Sequence, residues 1–211
     1  MRIANEGRPF IAIAWGILLA LLALGWWPAA VVWLPVAFWV IAFFRDPVRN
    51  GPRGEDLFIC PADGKVISII KLDEPTFLGG AAVRISIFMN VFNVHVNRYP
   101  VTGAIAHRSY LPGRFFNAAA EKASVDNEQS SIGIVTPNGK VLVRQIAGLV
   151  ARRIITDASV GAEVVQGDRL GLIRFGSRVD LFVPADSRIE VVLGQQVLAG
   201  VTILGRWPDA A

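Results

Sequence analysis

The chain has 211 residues, a length that accommodates one soluble domain and a membrane anchor but is short for two full domains. It carries 21 basic and 17 acidic residues, and because the basic residues are scattered and no basic cluster interleaves with aromatic residues, the composition excludes a nucleic-acid partner. Cys60 is the only cysteine, which excludes an internal disulfide and is consistent with a reducing compartment.

The first predicted element is an apolar run of 35 residues, Phe10 to Phe44, without a charged side chain. The sequence Trp26-Trp-Pro28 interrupts it and leaves two segments, Phe10 to Gly25 and Ala29 to Phe44. Each would form a helix of about 24 Å, slightly shorter than the hydrocarbon layer of a bilayer. The pattern therefore predicts a membrane anchor over residues 1–45, in which two short helices cross the bilayer or dip into it together.

Arginines flank both outer ends of this run, whereas its central connection carries no charge. Arg2 and Arg8 precede the run, and Arg45, Arg49 and Arg53 follow it. The positive-inside rule then predicts that both ends of the hairpin, and the domain that follows, lie on the cytoplasmic side of the cell membrane. Arginines at this position also favour contact with anionic phospholipid head groups.

A cleaved signal peptide is the alternative interpretation of the same residues. The basic start, the apolar stretch and the small pair Ala29 and Ala30 fit that scheme. The apolar run continues for another 14 residues past Ala30, however, and this continuation favours an anchor.

After a polar linker over residues 46–56, the predicted fold of residues 57–211 is one mainly β (α+β) domain, antiparallel, with one or two helices. Short β-rich runs are broken by the turn pairs Asp63-Gly64, Asn138-Gly139 and Gly167-Asp168, and Asn138-Gly139 predicts a hairpin. The predicted strands are Lys65 to Lys71, Ala82 to Phe88, Ser131 to Val135, Val141 to Ile146, Arg169 to Phe175, Arg178 to Val183 and Ile189 to Val192. The predicted helices are Phe115 to Ser124 and Ala147 to Ile154.

Two of these strands meet at the step Gly176-Ser177. A lone Gly-Ser pair in such a position usually indicates a β-bulge or a tight bend. Four motifs of the surrounding sequence change its interpretation, and their order and spacing extend over about 140 residues. They are Phe43-Phe-Arg-Asp-Pro47, Pro61-Ala-Asp-Gly-Lys-Val66, Phe92-Asn-Val-His-Val-Asn-Arg98 and Phe175-Gly-Ser177.

With these motifs the chain resembles the phosphatidylserine decarboxylase family in its short form. The resemblance implies a proenzyme that cuts itself: the Ser177 hydroxyl attacks the Gly176 carbonyl, the amide becomes an ester, and elimination with loss of ammonia leaves a pyruvoyl group. A large chain would end at Gly176, and a small chain of 211 − 176 = 35 residues would begin with that group. The implied substrate is the membrane lipid phosphatidylserine, which would form a Schiff base with the pyruvoyl group and leave as phosphatidylethanolamine.

The implied cofactor is thus the covalent pyruvoyl group made from Ser177, with no metal and no pyridoxal phosphate. Pyridoxal phosphate needs a Schiff-base lysine and a phosphate cradle. The chain has four lysines, and none lies in a glycine-rich phosphate loop. They are Lys65, Lys71, Lys122 and Lys140.

A serine hydroxyl is a poor nucleophile at neutral pH, so a base is expected near Ser177. Of the two histidines, His95 lies in the family-like motif, whereas nothing around His107 resembles a functional motif. The resemblance also implies that Asp63 hydrogen bonds to His95, in a relay with Ser177. Better-known members carry a second histidine where this chain has Arg98, which we expect to bind the phosphate or carboxylate of the substrate.

Two other functions are compatible with parts of this pattern. One is a pyruvoyl decarboxylase of another amino-acid head group, although a soluble substrate gives no reason for an anchor. The other is a membrane-tethered, non-enzymatic β module that uses the Gly-Ser step only as a turn. Self-association into a homo-oligomer is left open by the sequence.

Overall fold

A computed structural model describes residues 2–113, 127–148, 153–174 and 176–208. The chain forms two compact units, Met1–Val48 and Arg49–Ala211. The helix predicted over Phe115 to Ser124 lies outside the described residues.

The first unit is a helical hairpin with a short antiparallel ribbon. Its elements are β1 (Arg2–Ile3), a 3-10 helix (Asn5–Gly7), α1 (Arg8–Ala23), α2 (Trp27–Phe43) and β2 (Arg45–Asp46). Strand β1 pairs with β2, so that the two ends of the hairpin lie side by side. The chain reverses between the helices at Gly25, whose φ of 71° is a conformation that glycine adopts without strain.

Small side chains bring the two helices together. Ala14, Ala30 and Ala37 are buried between them with Leu18, and the indole nitrogen of Trp33 donates to the carbonyl oxygen of Ala14 at 2.8 Å. Many of the other apolar side chains of the hairpin point outward and are exposed. The continuous helical segment Asn5–Ala23 is long and apolar enough to cross a membrane, and Trp27–Phe43 is shorter. The predicted pair of apolar helices is confirmed, and their outward apolar surface is consistent with a lipid environment.

The described residues of the second unit form three antiparallel sheets, in agreement with the predicted fold class. The large sheet contains, in spatial order, β11 (Glu163–Val164), β7 (Gly103–Leu111), β8 (Gln129–Thr136), β9 (Gly139–Ala147), β13 (Ser177–Pro184), β5 (Gly80–Met89), β4 (Gly64–Glu74) and β15 (Gln196–Val197). A second sheet has the order β10 (Ile154–Thr156), β12 (Arg169–Ile173) and β6 (Val96–Arg98). The third has the order β14 (Arg188–Ile189), β16 (Ile203–Arg206) and β3 (Leu57–Ile59).

Strand β13 occupies a central place in the large sheet, between β5 and β9. Its residues alternate between the two faces of the sheet, and Val179, Leu181 and Val183 are fully buried in the main hydrophobic core. Ser177 is the first residue of this strand, so it is paired with neighbours on both sides.

The alternation of apolar and polar residues predicts most long strands well but misses β7. All seven predicted strands occur, with boundaries moved by a few residues, and the Asn138-Gly139 hairpin joins β8 to β9. Strand β7 gives almost no signal because Ile105 is its only buried residue. The helix predicted over Ala147 to Ile154 is wrong at both described ends: Ala147 ends β9 and Ile154 begins β10, because sheet pairing overrides helix propensity. Residues 149–152 lie outside the described part of the chain.

The turn between β4 and β5 depends on Glu74. Its carboxylate accepts hydrogen bonds from the backbone nitrogens of Phe77 and Leu78, both at 2.9 Å. Burial alone would raise the pKa of Glu74, but hydrogen bonds from Leu78, Phe77 and Thr76 together outweigh it and hold the pKa below its ordinary value of 4.5.

We expect Glu74→Gln to lower the free energy of unfolding by about 1–2 kcal/mol at neutral pH, because the amide replaces a charged acceptor. The folded-state pKa of Glu74 lies below the unfolded one. Its contribution is therefore present above the ordinary value of 4.5 and is lost as the pH falls through the folded value, so the difference from wild type should shrink in acid. Urea denaturation at neutral and acidic pH measures this, with the exposed neighbour variant Asp73→Asn as control. A difference that is the same at both pH values would contradict the assignment.

Candidate active site

Ser177 is fully buried at the start of β13. Its partner across the ladder is Met89 on one side and Ala147 on the other. The hydroxyl oxygen donates to the sulfur of Met89, with an Oγ to Sδ distance of 3.3 Å. A thioether is a weak acceptor, so the hydroxyl is oriented by a contact that costs little to break.

Gly176 makes the bend that leads into β13. Its φ is 69°, in the left-handed region that favours glycine, whereas no described atom beyond its two chain neighbours lies within 4 Å of the position a Cβ would take. The need for glycine is therefore conformational and does not come from crowding. In this conformation the Gly176 N–H donates to Nε2 of His95 at 3.3 Å.

His95 is fully buried, and its two ring nitrogens have different partners. Nδ1 lies 3.0 Å from the carbonyl oxygen of Asn93. Because a carbonyl oxygen only accepts, Nδ1 carries the proton in this contact, and Nε2 presents a lone pair to the Gly176 N–H. The arrangement holds a neutral imidazole with its basic nitrogen against the Gly176-Ser177 step.

The carbonyl that holds His95 belongs to a rigid turn. The side-chain oxygen of Asn93 accepts from the Asn90 nitrogen at 2.8 Å, and that of Asn90 accepts from the Phe92 nitrogen at 2.9 Å. The Asn93 nitrogen in turn donates to the Asn90 carbonyl at 3.0 Å. Both asparagine side chains thus replace backbone partners within the turn and fix the position from which Asn93 contacts the imidazole.

The structure does not contain the expected hydrogen bond between Asp63 and His95. One carboxylate oxygen of Asp63 accepts from Nη2 of Arg49 at 2.6 Å, and the other accepts from the Ala199 nitrogen at 2.8 Å. Within the described part of the chain these are the hydrogen bonds of the Asp63 carboxylate. The predicted relay is therefore corrected at this point: a backbone carbonyl orients His95, and Asp63 ties the linker to the turn at Ala199.

For Arg98 and His107 the structure shows contacts with other residues of the domain. Successive residues of a strand point to opposite faces, so in β6 the side chain of Arg98 leaves on the face opposite to that of Asn97. Its Nη1 donates to the carbonyl oxygen of Gly167 at 3.0 Å. His107 is half-buried in β7, and its ring stacks on Phe77 with 5.6 Å between centroids.

Comparison with known proteins identifies the family. The family model described as phosphatidylserine decarboxylase matches residues 36–205. A relative from Azorhizobium caulinodans, named phosphatidylserine decarboxylase proenzyme, is 50% identical over 99% of this chain and 90% of the relative. Relatives of the same name from Magnetococcus marinus and Symbiobacterium thermophilum are each 46% identical, over 97% and 98% of this chain and 94% and 96% of their own lengths.

The chain belongs to the phosphatidylserine decarboxylase family. Membership confirms the family that the four motifs predicted, and it makes the chain an enzyme of phospholipid metabolism. The interpretation as a non-enzymatic β module is therefore wrong.

Cys60, the only cysteine of the chain, is poorly suited to act as a nucleophile. It is fully buried, and its sulfur donates to the Ala62 carbonyl at 2.9 Å. Burial raises the pKa of the Cys60 thiol far above its ordinary value, so the thiol stays protonated.

The sequence analysis missed Met89, which contacts Ser177, and also Gln145 and Thr156, which are connected to Met89 through hydrogen bonds by way of Asn97. Met89 gives no signal because a methionine in an apolar strand is typical of a core. Gln145 does give one: it occupies an inward position of β9 between Val143 and Ala147, where an apolar residue is expected. A polar residue at such a position must find a buried partner, and this pattern is visible in the sequence.

On the other face of β13, a buried ion pair follows Ser177 directly. Arg178 and Asp180 are 2% and 0% exposed, and their two contacts, Nε to Oδ1 and Nη2 to Oδ2, are both 2.7 Å long. Arg144 lies opposite Asp180 on β9, and burial lowers its pKa. The side chains of Arg178 and Asp180 lie on the face of the sheet opposite to Ser177, so their charges are not next to its hydroxyl.

We expect Asp63→Asn to lower the free energy of unfolding by about 1–3 kcal/mol, because it removes the charged acceptor of two hydrogen bonds. Since the side chains of Arg49 and Asp63 are only 13% and 6% exposed, a double-mutant cycle with Arg49→Gln should give a coupling energy of about 1 kcal/mol. The measurement is denaturation of the full chain in detergent. Asp186→Asn, which changes an exposed carboxylate, is the control. Unchanged stability with no coupling would contradict the assigned contacts.

Proposed function

We propose that this chain is a proenzyme that cuts itself between Gly176 and Ser177 and then decarboxylates phosphatidylserine to phosphatidylethanolamine. One observation carries the proposal: a fully buried histidine presents the lone pair of its Nε2 to the Gly176-Ser177 step, beside a buried serine hydroxyl. The relatives named phosphatidylserine decarboxylase proenzyme support both the substrate and the formation of two chains from one precursor.

The first step uses the Ser177 hydroxyl as the nucleophile. Its oxygen leaves Met89 and attacks the Gly176 carbonyl carbon, while Nε2 of His95 releases the Gly176 N–H and accepts the hydroxyl proton. The carbon–nitrogen bond between Gly176 and Ser177 then breaks. His95 returns the proton to the departing Ser177 nitrogen, and an ester replaces the amide.

The second step opens the chain. A base removes the α-proton of Ser177, the Gly176 carboxylate leaves with the former hydroxyl oxygen, and a dehydroalanine remains. One water molecule is then consumed and one ammonia is released as the pyruvoyl group forms. The products are residues 1–176 with a free carboxylate and residues 177–211, which begin with that group.

The surroundings of Ser177 fit a small carbonyl group. Met89 and Ala147 flank the residue on either side with uncharged side chains, and the ladders of β13 keep the start of the small chain in place. When present, the pyruvoyl group would supply an electron sink for the loss of carbon dioxide from the substrate. His95 would give a proton to the carbon that loses carbon dioxide.

The remaining sequence predictions enter this proposal in the following way. Residues 1–45 anchor the protein in the membrane that contains the substrate, residues 46–56 connect them to the enzyme domain at 57–211, and this domain lies on the cytoplasmic side. Asp63 supports the site through its contacts to Arg49 and Ala199. Arg98 remains a proposed contact for the phosphate or carboxylate of the head group.

Replacement of Ser177 tests the bond and the activity together. We expect Ser177→Ala to remain a single chain of 211 residues and to release no carbon dioxide from phosphatidylserine in vesicles. Intact-mass analysis and a carbon dioxide assay provide the two readouts. The matched control is Ser86→Ala, which removes another fully buried serine hydroxyl, on β5, and should still yield two fragments. Normal cleavage of Ser177→Ala would show that the Gly176-Ser177 bond is not the one that the chain cuts by means of Ser177.

Replacement of His95 tests the base. We expect His95→Gln to slow cleavage at least about 100-fold, because glutamine can still accept from the Gly176 N–H but cannot take a proton. The time course of the 35-residue fragment measures the rate, and hydroxylamine detects any accumulated ester by releasing a small chain that begins with an intact serine. His107→Gln is the control and should cleave like wild type. A His95→Gln chain that is cut at the wild-type rate would show that another group is the base.

A further inference from the structure

Four polar side chains from four strands form a hydrogen-bonded series, here called the polar row, that ends beside Ser177. Its distances are 2.9 Å from the Ser130 hydroxyl to the Thr156 hydroxyl, 2.9 Å from Thr156 to Oε1 of Gln145, and 2.8 Å from Nε2 of Gln145 to Oδ1 of Asn97. The Asn97 nitrogen then lies 3.7 Å from the sulfur of Met89, which also accepts from Ser177.

Because the row is buried, its polar groups are unfavourable for folding unless they are hydrogen bonded. Asn97 and Gln145 are fully buried and Ser130 is 3% exposed. A buried amide without partners is strongly unfavourable, so each member depends on its neighbour in the row. Apolar residues of similar size would fill the same space without this requirement, which suggests that the polar atoms serve a purpose beyond packing.

The direction of every hydrogen bond follows from the sulfur at the inner end. A thioether has no proton to donate, so Asn97 must turn its N–H toward Met89 and its oxygen toward Gln145. Gln145 must then donate from its nitrogen and present its oxygen to Thr156. Thr156 donates to that oxygen, and Ser130 donates to Thr156. By donating to the Gln145 oxygen, the half-buried Thr156 holds the Gln145 amide in the orientation that Asn97 needs.

We propose that Asn97 is a positioning residue for self-cleavage and acts on Ser177 through Met89. A methionine side chain has three rotatable bonds and adapts easily to its surroundings, so packing alone specifies its sulfur poorly. The Asn97 N–H directs that sulfur, and the sulfur orients the Ser177 hydroxyl before the hydroxyl turns to the Gly176 carbonyl. The inference rests on the proposed cleavage of the Gly176-Ser177 bond.

The role ends when the hydroxyl oxygen leaves with Gly176. Variants of the row should therefore slow the formation of the two fragments but leave the turnover of each finished enzyme molecule unchanged. A merely structural role of the same residues would instead lower the stability and the turnover of the finished enzyme.

Thr156 offers the sharpest test because it is remote from the reacting atoms. We expect Thr156→Val, which keeps the shape but removes the hydroxyl, to slow cleavage about 10-fold to 100-fold, since a small misplacement of a reacting group has an effect of this size. Thr156→Ser should restore the rate. Ser130→Ala is the matched control: it removes the outermost donor but leaves the bond from Thr156 to Gln145, so the rate should stay within about twofold of wild type.

Met89→Leu supplies a second, independent measurement. It removes the sulfur at nearly constant volume, so it should also slow cleavage, and Thr156→Val should add no further slowing in this background. If Thr156→Val has no effect on cleavage, or if its effect multiplies with that of Met89→Leu, the inference is wrong. The same holds if the carbon dioxide release of Thr156→Val per cleaved molecule falls in parallel with its cleavage rate. Failure of the wild-type chain to cleave would instead overturn the proposed function itself.

Discussion

Strand β13 is paired along both edges, with β5 from Ser177 to Pro184 and with β9 from Ser177 to Phe182. The proposed cut before Ser177 would therefore remove no ladder partner from this strand, and Ser177–Pro184 would stay paired within the sheet. The inward residues of β13 belong to the hydrophobic core, which adds a second reason for the small chain to remain in place. The fold is compatible with the proposed cut, because Ser177 is the first residue of a strand that pairs with a neighbour on each side.

Among the described residues, Met89 and Ala147 flank Ser177 with uncharged side chains, and His95 contacts the Gly176-Ser177 step. A carboxylate partner would stabilise a protonated imidazole, whereas the carbonyl of Asn93 fixes the tautomer without adding a negative charge. Arg178 and Asp180 satisfy each other on the opposite face of β13. These hydrogen bonds hold an uncharged imidazole at the Gly176-Ser177 step, as the proposed proton transfer requires, and the members of the polar row carry no charge.

The second unit begins at Arg49, inside the predicted linker, and this part of the chain is held by specific contacts. Arg49 is bound to Asp63, and the Gly54 nitrogen donates to the side chain of Gln166 at 3.0 Å. Gln166 in turn donates to the carbonyl oxygens of Leu57 and Pro100. These bonds make the end of the linker part of the enzyme domain. Asp63 contributes by holding Arg49, the first residue of that unit.

The sequence by itself determined the family, the mainly β class and the pair of apolar helices, and it singled out the Gly176-Ser177 step as the candidate site. These features depend on local patterns: an uncharged apolar run, alternation along strands, turn residues and motifs of contiguous residues. It also singled out His95, although the role of that residue stays a prediction. Strand β7 was not predicted because it buries only Ile105 and so lacks the alternation that marks a half-buried strand.

Only the tertiary structure decided which polar groups meet. Asp63 precedes β4, and the sequence gives no information on whether its carboxylate faces a histidine or the Arg49 and Ala199 contacts that it makes. The polar row joins β8, β10, β9 and β6, and its members are separated by up to 48 residues along the chain between hydrogen-bonded neighbours. Such partners are set by sheet order and register, which arise from pairing between distant segments, and no local pattern in one chain specifies them.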